Sequence, residues 1–343
     1  MSERDDLTAS IANTIVTYRQ GEISEPTSQH VDRWASQFDP QTALPFLREF
    51  DQAIKKTFFT KESTRRFLSG IIKNEKITGK DPASYWKGSN ILNIQQKGQS
   101  QKEMVKIFAN ELKEAHGLDL NHCGSPEGDY IYLDDVLFTG GRISTDLIAW
   151  LKKAPQRATV HIILIAAYTG GEYYIRTKKL KIAIEATGKK IETHFWRCVA
   201  LENTLYNKFT SDVLWPIAIP DDELVQAYVK DMDIKLRLPG GKSLIFSDEV
   251  GRQVLEREFV LAGVKIRSLT AEPKDFHRPI GCGNFGLGFG AILATYRNCP
   301  NNSPLAIWWG DPKATSGALH WYPLLPRKTY AAPENLFNGF GAL

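Results

Sequence analysis

Apolar residues recur every three or four positions through the first quarter of the chain. Trp34, Phe38, Leu44, Leu47, Phe50, Ile54, Phe58, Phe67, Leu68 and Ile71 follow this spacing, which predicts helices with one buried face. Asp39-Pro40 punctuates the run, and Pro45 sits near a helix start. A helical N-terminal region over 1–88 is therefore expected. From about 89 the pattern changes to short apolar runs separated by amphipathic stretches. Residues 90–95 read as a strand, 102–117 as a helix stopped by Gly117, and 130–133 as a second strand. The run 160–168 is almost continuously apolar, as a parallel strand buried on both faces would be. Gly170-Gly171 opens a helix over 172–187, and 191–200 returns as strand. Repeated βα units predict an α/β core over 89–203, a parallel sheet with helices on both faces. The remainder, 204–343, reads as a C-terminal α/β extension packing on that core, with 305–309 as a further strand.

The chemistry concentrates in 130–147, YIYLDDVLFTGGRISTDL. A strand ends on Asp134 and Asp135, and Thr139-Gly140-Gly141 precedes a helix. Glycines let backbone N–H groups approach a phosphate, and a helix N-terminus favours negative charge. The acids are expected at a solvent-facing strand end, where they would face ribose hydroxyls or a metal. The plainer reading of the same residues is a tight turn whose acids cap the helix. One βα unit earlier, Gln96-Lys97-Gly98-Gln99-Ser100-Gln101 follows a strand and opens a helix, and its residue types suit an anion. Ligands of such sheets sit at the C-terminal ends of the strands, where both turns lie.

The C-terminal region carries weaker patterns. LPGGKS at 238–243 lacks the leading glycine of a phosphate-binding P-loop, because Leu236 stands in its place. Gly281, Gly283 and Gly286 match G-x-G-x-x-G, with Asp311 beyond a later apolar run. Residues 275–279 do not read as a core strand, however, and Cys299-Pro300 cuts the following helix, which argues against a dinucleotide fold. The glycine-rich segment is expected to pack beside the acid and glycine site of 130–147, with His277, Arg278 and Asn284 facing a substrate and Asn301-Asn302 forming a turn.

Composition changes this picture little. A chain of 343 residues accommodates two domains or one elaborated domain. No apolar run reaches membrane-spanning length and the start, MSERDDLTAS, is polar, so a cytoplasmic protein without a membrane partner is expected. Cys123, Cys198, Cys282 and Cys299 show no paired spacing, and the adjacent His122-Cys123 alone makes no metal site. The net charge of +4 permits phosphate or nucleic-acid contact without demanding it. Lys55, Lys56, Lys61, Arg65, Arg66 and Lys73 interleave with aromatics, and a solvated helix face is preferred over a nucleic-acid surface.

The ordered acids and glycines resemble the 5-phosphoribosyl-1-diphosphate (PRPP) signature of type I phosphoribosyltransferases. That resemblance implies that Asp134 and Asp135 are catalytic, contact the ribose hydroxyls, and hold Mg²⁺ directly or through water. It further implies that Thr139, Gly140, Gly141, Arg142 and Ser144 wrap the 5′-phosphate, and that Lys97, Gly98, Gln99 and Ser100 bind the diphosphate. Arg142 departs from the family pattern, which has a second Thr or Ser at that position. A wider arrangement spans about 30 to 325: Trp34 and Phe38, the KGxS turn, DDVLFTGG, and a C-terminal GxGN…PNN…P…WW segment. It is similar to the phosphoribosyltransferase-like proteins of bacterial conflict systems, found in anti-phage defence operons and some retron loci. This resemblance implies an effector acting at the ribose C1′ by glycosyl transfer or hydrolysis. The alternatives are a catalytically silent nucleotide- or PRPP-sensing module and a ribonucleoprotein scaffold. The implied partners are PRPP or a nucleotide, and a reverse transcriptase with its RNA or DNA in a retron setting; a homo-oligomer is left open.

Overall fold

The computed structural model describes residues 2–96, 99–203, 211–240, 242–271, 273–283 and 286–328. Helix α1 (Glu3–Ile15) begins at Ser2 with a reciprocal cap: the Ser2 hydroxyl accepts the Asp5 N–H, and the Asp5 carboxylate accepts the Ser2 N–H. Helices α2 (Ser28–Ala35) and α3 (Ala43–Thr57) and the two-residue strand β1 (Phe58–Phe59) follow. Of the periodic aromatics, Trp34, Phe38 and Phe50 converge, and Phe46, outside that pattern, packs among them ring against ring. They are joined by Phe259 and Trp321, more than two hundred residues away in sequence. The first helices therefore share a core with the C-terminal region, and the chain divides differently from the three consecutive regions expected. One compact unit comprises 1–61 with 202–328; the other is Glu62–Leu201.

The second unit opens with helices α4 (Lys61–Ile72), α5 (Glu75–Thr78) and α6 (Pro82–Gly88). Its βα sequence then runs β2 (Asn90–Leu92), α7 (Ser100–His116), β3 (Tyr130–Leu137), α8 (Gly141–Leu151), β4 (Arg157–Tyr168), α9 (Thr169–Tyr174), α10 (Leu180–Thr187) and β5 (Lys190–Leu201). The four strands form one sheet in the order β2-β3-β4-β5, every neighbouring pair parallel. Leu92, Tyr132, Ile162 and Leu164 line one face under Ile143, Leu147 and Trp150 of α8. Ile131, Leu133, Ile163 and Ile165 point the other way and are equally buried, which explains why β3 and β4 read as unbroken apolar runs.

Two boundaries differ from the sequence expectation in ways that matter. Strand β3 continues through both acids to Leu137 rather than stopping at 133. The helix expected over 172–187 is interrupted by a π-helical turn, Ile175–Lys179, between α9 and α10.

The first unit is completed by α11 (Glu223–Val229), α12 (Glu249–Ser268), β6 (Ala294–Thr295) and α13 (Leu305–Trp308); β6 pairs in parallel with β1. The run expected as a strand at 305–309 is this short helix, closed by the Trp309 N–H donating to the Leu305 carbonyl. Among the described residues no strand leads into Gly281, and the next element after Gly286 is β6, not a helix. The glycine match is therefore no dinucleotide fold. It is a close packing of backbones: a Cβ on Gly281 would stand 2.0 Å from the Asn302 carbonyl oxygen. Arg237 and Arg252, both buried, share the buried Glu256 in this unit, and Arg237 also holds Glu249.

Candidate functional site

The C-terminal ends of β2, β3 and β4 each run into a turn that opens a helix; Gln99 and Ser100 fall at the first of these turns and Thr139 to Ser144 at the second, directly after the acids of β3. At the β3–α8 turn, Gly140 has φ 73°, a left-handed conformation that favours glycine. A Cβ there would stand 2.1 Å from Ile175 Cδ1, and a Cβ on Gly171 would stand 1.8 Å from the Phe138 carbonyl oxygen. The phosphate-type turn is thus pressed directly onto the start of the π-interrupted helix. Thr139 is exposed at its tip, and Gly141 and Arg142 are half-buried in the first turn of α8. Among the described residues Arg142 has no hydrogen-bond or ion-pair partner, yet its charge favours the ionised form of Asp134. Its guanidinium is therefore within electrostatic reach of Asp134 without pairing with it. Ser144 lies beneath the turn, fully buried, with its Oγ lacking a hydrogen-bond partner among the described residues.

The acids are not at a solvent-facing strand end. Because β3 continues past them, Asp134 points inward and is 2% exposed, while Asp135 points the other way and is half-buried. Burial, and next the adjacent charge of Asp135, push the Asp134 carboxyl up to about 7. Its Oδ1 accepts the Asp135 N–H at 2.9 Å, and the Ser100 hydroxyl donates to it. Asp135 Oδ1 accepts the Val136 N–H at 2.8 Å.

Ser100 connects the two turns. It is buried at the start of α7 and accepts from Gln95 Nε2 at 2.9 Å. Gln101 Oε1 accepts the backbone N–H groups of Ile94 and Gln95, at 2.6 and 2.8 Å, which fixes the end of β2 against the helix start. Gln99 is exposed; Lys97 and Gly98 lie outside the described residues, as does Asn284.

Three contributors were not singled out from the sequence. The Tyr132 hydroxyl lies 3.0 Å from Asp146 Oδ2 and 3.5 Å from Asp134 Oδ2. Asp146, buried on α8, also accepts the Gln96 N–H at 3.3 Å. Tyr132 and Asp146 thereby tie the β2–α7 turn to the acid pair, and the phenol proton goes to the nearer carboxylate. A proton retained on Asp134 would complete a chain from Asp134 through Tyr132 to Asp146. Beside the third turn, buried Glu172 accepts from Arg197 Nη1 at 2.6 Å and faces Arg176 Nη1 at 3.5 Å. A visible signal existed for Asp146, an acid in the apolar stripe of α8 alongside Ile143, Leu147 and Trp150.

His277 and Arg278 belong to the other unit. His277 is buried; desolvation and then the charges of Arg267, Lys274 and Arg327 push its imidazole down to about 4. Arg278 Nη1 donates to Tyr228 Oη at 3.4 Å. Cys282 and Cys299 are buried and their thiols are pushed up to about 12, mainly by burial, so neither is a poised thiolate.

A parallel sheet, an acid pair on its central strand and a glycine turn opening the next helix define a phosphoribosyltransferase-like protein. Residues 31–327 match the sequence model of the PRTase-CE family, and the chain belongs to that family. No curated protein matches it. No helix among the described residues is long and apolar enough to cross a membrane.

Proposed function

We propose that the Glu62–Leu201 unit binds a 5-phosphoribosyl ligand, PRPP or a nucleotide, together with Mg²⁺, and acts at the ribose C1′. The observation that carries this reading is the buried network of Ser100, Asp134, Tyr132 and Asp146, which locks the two ligand-type turns into one arrangement. A turn that only capped a helix would need neither the second turn nor its tie to an acid.

In this reading Thr139, Gly140, Gly141 and Arg142 hold the 5′-phosphate, and the turn before α7 takes the diphosphate. Asp135, the more accessible acid, faces the ribose hydroxyls, with Asp134 anchored behind it. No group of three or more ligand-type side chains is assembled among the described residues. This donor set fits Mg²⁺, which is commonly held by one or two carboxylates plus substrate phosphates and water. When bound, the ion supplies charge neutralisation of the diphosphate. Chemistry at C1′ breaks the bond to the leaving diphosphate or base, which takes the electron pair. The acceptor or water forms the new bond and gives up a proton. The carboxylates stabilise the positive charge that develops on the ribose. Arg142 favours a second reading, a sensing module that binds the ligand without turnover, because a guanidinium strengthens phosphate retention. A place in anti-phage defence belongs to the same proposal and rests on the sequence resemblance.

The test is thermal denaturation with PRPP, ribose 5-phosphate and nucleoside monophosphates, with and without Mg²⁺. Ligand at a hundred times its dissociation constant should add about 2.7 kcal/mol of stability. A panel with no shift would remove the proposal.

A further inference from the structure

The segment that packs against the phosphate-type turn carries an unusual surface. Tyr173 and Tyr174 are 67% and 51% exposed, although large aromatic side chains ordinarily bury most of their area. They sit on α9, two and three residues after Gly171, whose backbone is pressed on Phe138. Immediately after them the chain makes its π-helical turn, an irregularity that occurs frequently at functional sites. From 169 to 190 there are six Lys or Arg residues against two Glu, and Arg176, Lys178 and Lys181 are exposed. Of the two carboxylates, buried Glu172 is held by Arg197 at 2.6 Å and faces Arg176 at 3.5 Å, and exposed Glu185 lies 3.9 Å from Lys181, a solvent-exposed pair that contributes little. The surface is thus two adjacent aromatic rings followed by an excess of positive charge, along one continuous helical stretch.

We infer that this strip is a binding surface for single-stranded nucleic acid, with bases stacked on Tyr173 and Tyr174 and phosphates following Arg176, Lys178 and Lys181. Charge complementarity selects the partner: an apolar partner helix would leave the cations unmatched, and a small anion would leave the rings bare. Length selects a strand over a single nucleotide. The eight residue steps from Tyr173 to Lys181 rise about 12 Å, the span of roughly three stacked bases. Stacking requires bases free of a duplex, because exposed rings reach a base face only where it is unpaired. The inference does not depend on PRPP binding, and its test uses none.

Fluorescence anisotropy with a labelled 12-nucleotide single strand, on the full chain, reads the surface directly. Tyr173→Ala and Tyr174→Ala should each weaken binding at least about fivefold, and Tyr→Phe at either position should restore it, since the phenyl face still stacks. Lys178→Ala with Lys181→Ala should make the salt dependence shallower by about 1.4 in log–log slope. These side chains are exposed, and an unchanged melting temperature would show that the variants fold. An unbound single strand, equal affinity for the corresponding duplex, or tyrosine variants that bind as the wild type does would each overturn the inference. So would sedimentation showing a dimer that Tyr173→Ala dissolves, because the rings would then be covered by a second copy.

Discussion

Arg142 is the residue on which the character of the site turns. It stands where the phosphoribosyltransferase signature that the sequence resembles has a small hydroxyl residue, its side chain has no hydrogen-bond or ion-pair partner among the described residues, and its charge acts on Asp134. If its guanidinium holds the 5′-phosphate, Arg142→Ala should weaken ribosyl-phosphate binding by about 1.5–3 kcal/mol, and Arg142→Lys should recover only part of that. Tighter binding by Arg142→Thr would show instead that the arginine obstructs the site. Asp134 supplies a second prediction. Its folded-state carboxyl titrates at about 7 against an unperturbed 3.8, so the native protein retains a proton that the unfolded chain gives up. The stability this contributes is complete below about pH 4 and is lost as pH rises through about 7. In metal-free buffer, Asp134→Asn should therefore flatten the decline of melting temperature between about pH 5 and 8. An unchanged pH profile would mean that the carboxyl is solvated.

At the scale of elements, the two turns depend on backbone contacts that no side chain could replace. Gly171→Ala would force a Cβ to within 1.8 Å of the Phe138 carbonyl oxygen, at the start of the glycine turn between β3 and α8. Overpacking of this kind costs about 1–3 kcal/mol, and ribosyl-phosphate binding should fall with it. Gly188→Ala is the control: its φ is 68° but nothing lies within 4 Å, so it should cost about 1 kcal/mol and leave binding alone. The parallel strands and the glycine turn were legible in the sequence because both are local: an unbroken apolar run, a glycine, a helix start. The continuation of β3 through Asp134 and Asp135 was not, since acids ordinarily end a buried strand, and the Ser100 hydroxyl, the Arg142 charge and the Asp135 N–H that support Asp134 there come from the folded chain. The run 305–309 misled for another reason, because five apolar residues fit a short helix as well as a strand.

At the scale of the molecule, the division into units escaped the sequence because it rests on contacts such as Phe50 with Phe259, which leave no periodic trace. The 1–61 and 202–328 unit also depends on its buried charges. Arg237→Met leaves Glu256 short of a partner in a buried site, and removing one member of such a pair costs about 3–5 kcal/mol. Urea unfolding should show that loss, whereas an unchanged midpoint would mean that the pair is dispensable. The central claim concerns the other unit, and calorimetric titration with PRPP tests it most directly, with and without Mg²⁺, on the wild type and on the Asp134→Asn, Asp135→Asn double variant. Asp134 retains its proton below about pH 7, so the titration is run near pH 6, where the amide mimics the protonated carboxyl and the double variant should stay folded. The account predicts saturable, Mg²⁺-dependent binding by the wild type and none by the folded double variant. Absence of binding by the wild type, or equal binding by both proteins, would contradict it.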